Sequence, residues 1–166
     1  PSLGGALNYA RFDADDAVAL EFRRSLLQRV AKHPKIEVLS NAKCTGWFDE
    51  NWLAVTVTNR LIKLRASAVV VATGSLAQPM VFRNNDLPGI MLGTAAQRLI
   101  RLYGVLPGRK PIIVTSNDDG YGIALDFADI DTHVGAIVDL RNAAEPGPLA
   151  TEARTRGIPI LRGHAV

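Results

Sequence analysis

The sequence predicts an α/β chain, and three observations in its 166 residues carry that prediction. From Gly108 onward, apolar runs that fit strands alternate strictly with segments that fit helices. Before that point, four short β-like runs separated by polar turns fit a small antiparallel meander. Between the two stands SAVVVATGS (67–75), whose uninterrupted Val69-Val70-Val71 is expected of a strand covered on both faces.

Residues 15–33, DDAVALEFRRSLLQRVAKH, predict the first helix. Val18, Phe22, Leu26 and Val30 recur every four residues with Leu20 and Leu27 beside them, while Arg23, Arg24 and Arg29 take the other faces. Asp13, Asp15 and Asp16 suit its positive N-terminal end, and Pro34 stops it. The runs IEVLS, AKCTGWF, WLAVTVT and LIKLRAS follow, with turns expected at 49–51 and 59–60. Trp47 and Trp52 flank the first turn and are expected to pack across the hairpin. After the turn-rich QPMVFRNNDLPGI, residues 94–104 predict a helix stopped by Gly104, with Arg98 and Arg101 on a solvated or subunit-contacting face.

PIIVTS, GYGIALDFADI, THVGAIVDLR, PLATEARTRG and IPILRG then read as strand, helix, strand, helix, strand. This βαβαβ order is the first half of a doubly wound, Rossmann-like fold. The chain is therefore expected to hold two partial dinucleotide-binding units. Residues 1–92 would end a first domain (helix, meander, ATG strand), 93–108 would be a helical connector, and 109–166 would open a second domain. On this reading the chain is a piece of something longer.

Composition excludes several function classes. With 48% hydrophobic and 21% charged residues the chain is globular with a real core. No apolar run reaches the roughly 18–20 residues that span a bilayer, and the N-terminus lacks a signal-peptide pattern, so no membrane partner and a cytoplasmic location are expected. The single cysteine, Cys44, excludes an internal disulfide, a CxxC pair and a cysteine-rich metal or iron–sulfur site; it is expected to be a buried structural thiol. No metal site is expected. His33, His133 and His164 have no partners nearby in sequence and are read as surface residues. The net charge is +3, but the basic residues are scattered, which argues against nucleic acid. Residues 111–141 run the other way, with one basic residue against six acidic.

The candidate chemistry sits in the loop of IIVTSNDDGYGIA. In a dinucleotide-binding turn the first glycine makes the bend, the second lets pyrophosphate touch the backbone, and the third lets helix pack on strand. Laid over that pattern, Thr115 stands first, Asn117 second and Gly120 third. Asp139 ends the next strand, 22 positions after Asn117 against about 20 for an acid that accepts from ribose hydroxyls, and Arg141 nearby softens that preference. Two of three glycines are replaced, although asparagine tolerates a positive φ. Asp118 and Asp119 bring negative charge where phosphate would lie, at a cost of about 1–4 kcal/mol; the competing reading is that they only cap the helix. The turn thus reads as inherited but disabled. Earlier, Thr73 and Gly74 end the VVVATG run with small residues that allow close approach of a ligand. Candidate cofactor-binding residues are Thr73, Gly74, Thr115, Asn117, Gly120 and Asp139, with no catalytic residue among them.

These segments resemble a known family. The chain is similar to the alpha subunit of heterotetrameric sarcosine oxidase at Ala72-Thr73-Gly74, Phe82, Asn85-Asp86, Pro88-Gly89, Met91-Leu92, Tyr103-Gly104-Val105 and Pro107-Gly108-Arg109. The match continues at Thr115, Asn117-Asp118, Tyr121, Val138-Asp139 and Arg141, and is looser before residue 69. The resemblance implies an NAD-containing subunit of a complex that oxidises sarcosine to glycine, with FAD and FMN elsewhere in the complex and hydrogen peroxide as a product. It implies other subunits as partners and little or no cofactor binding by these residues alone. Two departures stand out: the meander is short, and ADIDTHV replaces a glycine-containing helix-to-strand turn. Related amine- and opine-oxidising dehydrogenase subunits share the ATG part. A module that binds no cofactor and only contacts other subunits remains open, whereas the lack of CxxC argues against a dithiol flavoprotein.

Overall fold

The computed structural model of the chain describes residues 3–142 and 147–166. These fall into two units, one formed by Pro1–Gly5 with Leu26–Ser75 and the other by Ala6–Ser25 with Leu76–Val166. The first helix, α1 (Asp16–Lys32), forms where the four-residue periodicity places it. Asp15 accepts from the Ala17 amide at 3.0 Å just ahead of its first turn, and the helix ends before Pro34.

In the first unit β1 (Ala42–Phe48), β2 (Trp52–Val57) and β3 (Arg60–Arg65) pair antiparallel in that order, so the expected meander forms. Trp47 lies opposite Leu53 and Trp52 opposite Phe48. Each tryptophan therefore has an apolar partner across the hairpin, but the two occupy opposite faces of it. Trp52 also neighbours Arg65 on β3, whose guanidinium lies 5.6 Å from its ring centre.

Two expected strands are corrected here. IEVLS (36–40) and the VVVATG run (69–74) are irregular, and Val70 and Val71 are 90% and 64% exposed. Strand propensity is realised only through a ladder, and among the described residues neither run pairs with a neighbour. Cys44 is likewise exposed rather than buried, because edge strand β1 bulges between Cys44 and Gly46 and the thiol turns to the Gly46 carbonyl (3.4 Å).

The second unit follows the predicted alternation. α2 (Gly93–Tyr103) ends at Gly104, whose φ of 63° lets its amide bond back to the Ile100 carbonyl. Then come β4 (Ile112–Thr115), α3 (Asp119–Ala128), β5 (Ala136–Asp139), α4 (Pro148–Thr155) and β6 (Ile160–Arg162). The three strands are parallel in the order β4-β5-β6. Ala124, Leu125, Ile137 and Ala153 have no exposed surface, and Tyr121, Phe127 and Leu149 pack with them. Each fully buried leucine or isoleucine contributes about 1.5–3 kcal/mol.

Asp126 and Asp139 are both buried in this unit. Asp126, on α3 amid apolar neighbours, has a fully buried side chain. It accepts from Arg101 (2.5 Å) and Gln97 (2.8 Å) of α2, with Arg11 3.7 Å away. Arg101 also reaches Asp16 (2.7 Å), and Arg11 reaches Asp129 (2.8 Å). Burial raises the Asp126 carboxyl and its arginines oppose that. Gly122 belongs to the same arrangement: a Cβ there would lie 2.9 Å from the Arg11 carbonyl, so only glycine lets that segment rest on α3. Arg101 is thus not on a solvated face, while Arg98 sits over the Tyr9 ring at 5.7 Å.

Asp126→Ala leaves two arginines without their buried acceptor and should lower stability by about 3–5 kcal/mol. Glu21→Ala, which breaks an exposed pair with Arg24, should change it by less than about 1 kcal/mol. Urea unfolding of both variants checks the contrast.

Candidate functional site

Parallel register sets Thr115 beside Asp139 and Asp139 beside Arg162 at the carboxyl edge of the second sheet. Open α/β sheets bind their ligands at that edge. Of the residues singled out in the sequence, Thr115, Asn117, Gly120 and Asp139 lie in this unit, on β4, in the turn, at the start of α3 and at the end of β5. Thr73 and Gly74 lie in the other unit, in an exposed irregular stretch where Gly74 has a φ of 75°.

The turn is closed by its own side chains. The Thr115 hydroxyl accepts from the Asn117 amide (3.2 Å) and donates to the Asn117 carbonyl (2.9 Å). Asn117 Oδ1 accepts from the Asp119 amide (3.1 Å), and its Nδ2 donates to Asp119 Oδ2 (3.1 Å). The Asp118 side chain makes no cap bond at its N-cap position, and Asn117, one residue earlier, accepts from the first amide of α3 without the left-handed backbone it tolerates. Gly120 keeps the third glycine's role: a Cβ there would overlap the Thr115 side chain, so helix and strand approach only because it is absent.

Asp139 has no exposed surface. Its Oδ1 accepts from the Arg141 amide and Nε, both at 3.0 Å, and its Oδ2 accepts from Tyr121 Oη and Arg141 Nη2, both at 2.8 Å. The same Nη2 reaches Asp118 Oδ1 at 2.8 Å, which joins the end of β5 to the turn. Arg141 holds the Asp139 carboxyl well below the usual carboxylate range. Burial, and then the Asp139 charge, raise the Tyr121 phenol, with Arg162 opposing.

Four of the six acids of 111–141 are paired with arginines: Asp118 and Asp139 share Arg141, Asp126 takes Arg101, and Asp129 takes Arg11 and Arg156. A carboxylate held this firmly in its ionised form, with its oxygens already engaged, is a poor proton acceptor for a substrate. No group of three His, Cys, Asp or Glu residues among the described residues could hold a metal. Sequence reasoning passed over Tyr121, Arg141 and Asp126 as a structural set. The available signal was an acid within an otherwise apolar helix, which demands buried partners.

Asp139 has its folded pKa below its unfolded one, so its stabilisation is complete above about pH 4 and fades as pH falls further. Asp139→Asn should cost about 3 kcal/mol at pH 7. The gap to the parent protein should narrow between pH 4 and pH 2, followed by urea unfolding. Gly120→Ala should destabilise by about 2 kcal/mol, and Thr115→Gly should offset most of that loss in the double variant, a coupling that a double-mutant cycle measures.

No protein-family model matches the chain. It is 37% identical to the sarcosine oxidase alpha subunit of Corynebacterium sp. (strain P-1), over 98% of this chain and 18% of that subunit. It is 33% identical to the corresponding subunit of Rhizobium meliloti (strain 1021), over 85% of this chain and 16% of that one. An opine oxidase subunit of Agrobacterium tumefaciens (strain Ach5) is 30% identical over 48% of this chain and 16% of its own length. Among solved structures, L-proline dehydrogenase from P. horikoshii superposes with a TM-score of 0.64 at 21% identity, over 86% of this chain and 29% of that one, which shows a shared fold. The chain spans less than a fifth of the length of these curated relatives. Over that span, the chain is similar to sarcosine oxidase alpha subunits across 85–98% of its own length.

Proposed function

We propose that the chain is a scaffold segment of an amine-oxidising oxidoreductase subunit, built on a dinucleotide-binding type of fold and carrying no catalytic residue. The observation that supports it most is the match to sarcosine oxidase alpha subunits over 85–98% of the chain. The parallel β4-β5-β6 order adds weight, because consecutive parallel neighbours are how a doubly wound nucleotide fold begins.

On this reading the parent protein oxidises sarcosine to glycine with release of hydrogen peroxide, works in the cytoplasm, and assembles with other subunits of a heterotetramer. NAD would belong to this subunit, and FAD and FMN to the rest of the complex. The turn residues do not themselves fit NAD. Asp139 is buried with both oxygens engaged, and Asp118 places a carboxylate at the start of α3. Thr115, Asn117, Gly120 and Asp139 are therefore assigned packing, and any NAD phosphates fall to other residues of the subunit. The opine oxidase match supports a second reading, an opine-type secondary amine as substrate.

The test is to express the whole gene product that contains this chain with its companion subunits, and to follow amine-dependent oxygen uptake and peroxide formation. Turnover of sarcosine is expected. Turnover of opines without sarcosine would favour the second reading, and a complex inert to every secondary amine would sink the proposal. Gly120→Ala should reduce the yield of assembled complex through its lower stability, while turnover per complex stays within about twofold.

A further inference from the structure

We propose that Arg141 closes the carboxyl edge of the second sheet from within, spanning the two positions that a dinucleotide would otherwise bridge. In a working unit of this topology the turn after the first strand holds pyrophosphate, and the acid ending the second strand holds ribose. Here one guanidinium nitrogen touches both places, Asp118 in the turn and Asp139 at the strand end, each at 2.8 Å. This rests on the dinucleotide-fold reading of the unit and not on the identity of the amine.

Stoichiometry of donors makes the closure complete at Asp139. An ionised carboxylate offers about four lone-pair sites. The Arg141 amide, Arg141 Nε, Arg141 Nη2 and the Tyr121 hydroxyl fill that number, at 2.8–3.0 Å, on a residue with no exposed surface. A ribose hydroxyl would have to displace one of them. The turn is occupied in the same way, because the amides of Asn117 and Asp119 are spent on Thr115 and Asn117 side chains. Phosphate binding at a helix start depends on such amides being free.

The backbone beyond the strands is laced as well. The Leu140 amide donates to the Thr115 carbonyl (2.9 Å), and the Gly163 amide donates to the Arg141 carbonyl (3.2 Å). Gly163 takes a φ of 65°, and a Cβ on it would overlap the Asn142 amide group, so the segments after β5 and β6 are in contact at the carboxyl edge of the sheet. Arg141 is on this account a positioning residue: it fixes the turn against β5 in place of a ligand.

The test uses the whole gene product and two readouts, photolabelling with 2-azido-ADP followed by peptide mapping, and thermal unfolding. The parent protein should yield no labelled peptide from residues 112–141, whatever is labelled elsewhere. Arg141→Ala should lower Tm by about 5–10 °C. Arg141→Lys should lower it by a smaller amount, since a lysine keeps the charge but cannot fork onto two carboxylates; if the alanine variant does not fold, the lysine variant decides. Label in 112–141 that NAD competes away, or an Arg141→Lys protein with unchanged Tm, would overturn the proposal. Neither outcome bears on amine turnover, so the two proposals fail separately.

Discussion

A carboxylate with no exposed surface must have its oxygens filled, and Asp139 sets the terms for everything around it. Its partners come from three places in the chain: its own β5 end through Arg141, α3 through Tyr121, and the turn through the Asp118 that Arg141 also holds. The strand order is thus reinforced at its open edge by an ionic clamp. Tyr121 must stay protonated to donate, and Arg141 cannot lose its proton, so the clamp persists across the ordinary pH range.

A second ionic centre works at the other end of α3. Asp126 gathers Arg101, Gln97 and the nearby Arg11, and Asp129 adds Arg11 and Arg156. The helix therefore carries acids at both ends of an apolar body, and those at its carboxyl end receive cations from α2, from Arg156 just after α4 and from the segment around Arg11. Replacement by apolar residues of similar size would be tolerable in energy. What the charges add is one allowed placement of that segment, since Gly122 accepts its backbone at contact distance and Arg11 must meet its acids. Together the two centres pair four of the six acids in residues 111–141 with arginines, where a reading of net charge alone takes the excess of acid for repulsion.

The order of elements in the second unit was legible because strand and helix periods differ and because Gly104 and the Asp/Asn turns punctuate them. The meander was legible too, from its alternation and turn residues. Residues 36–40 and 69–74 misled for one shared reason: β-branched residues report that a strand could form, while a strand exists only where a neighbour supplies the ladder. Cys44 misled because it stands in a β-like run beside Thr45 and Trp47, yet a bulge on an edge strand turns it outward. Arg101 was taken for a surface residue because helical spacing gives the face and not what packs against it.

By itself the sequence determined the alternation of elements in the second unit, the family likeness in its turn, and the glycine at 120 that lets helix meet strand. These are local properties: propensity, spacing and the absence of one Cβ. Only the tertiary structure decided what the turn does with its polar groups. Asp139 and Asn117 have the side chains of ligand contacts, and the chain alone allows them to serve as such. Folding brings Arg141, Tyr121 and Thr115 within 3.2 Å of them, and internal partners at that range bind first because no third molecule has to be ordered to reach them.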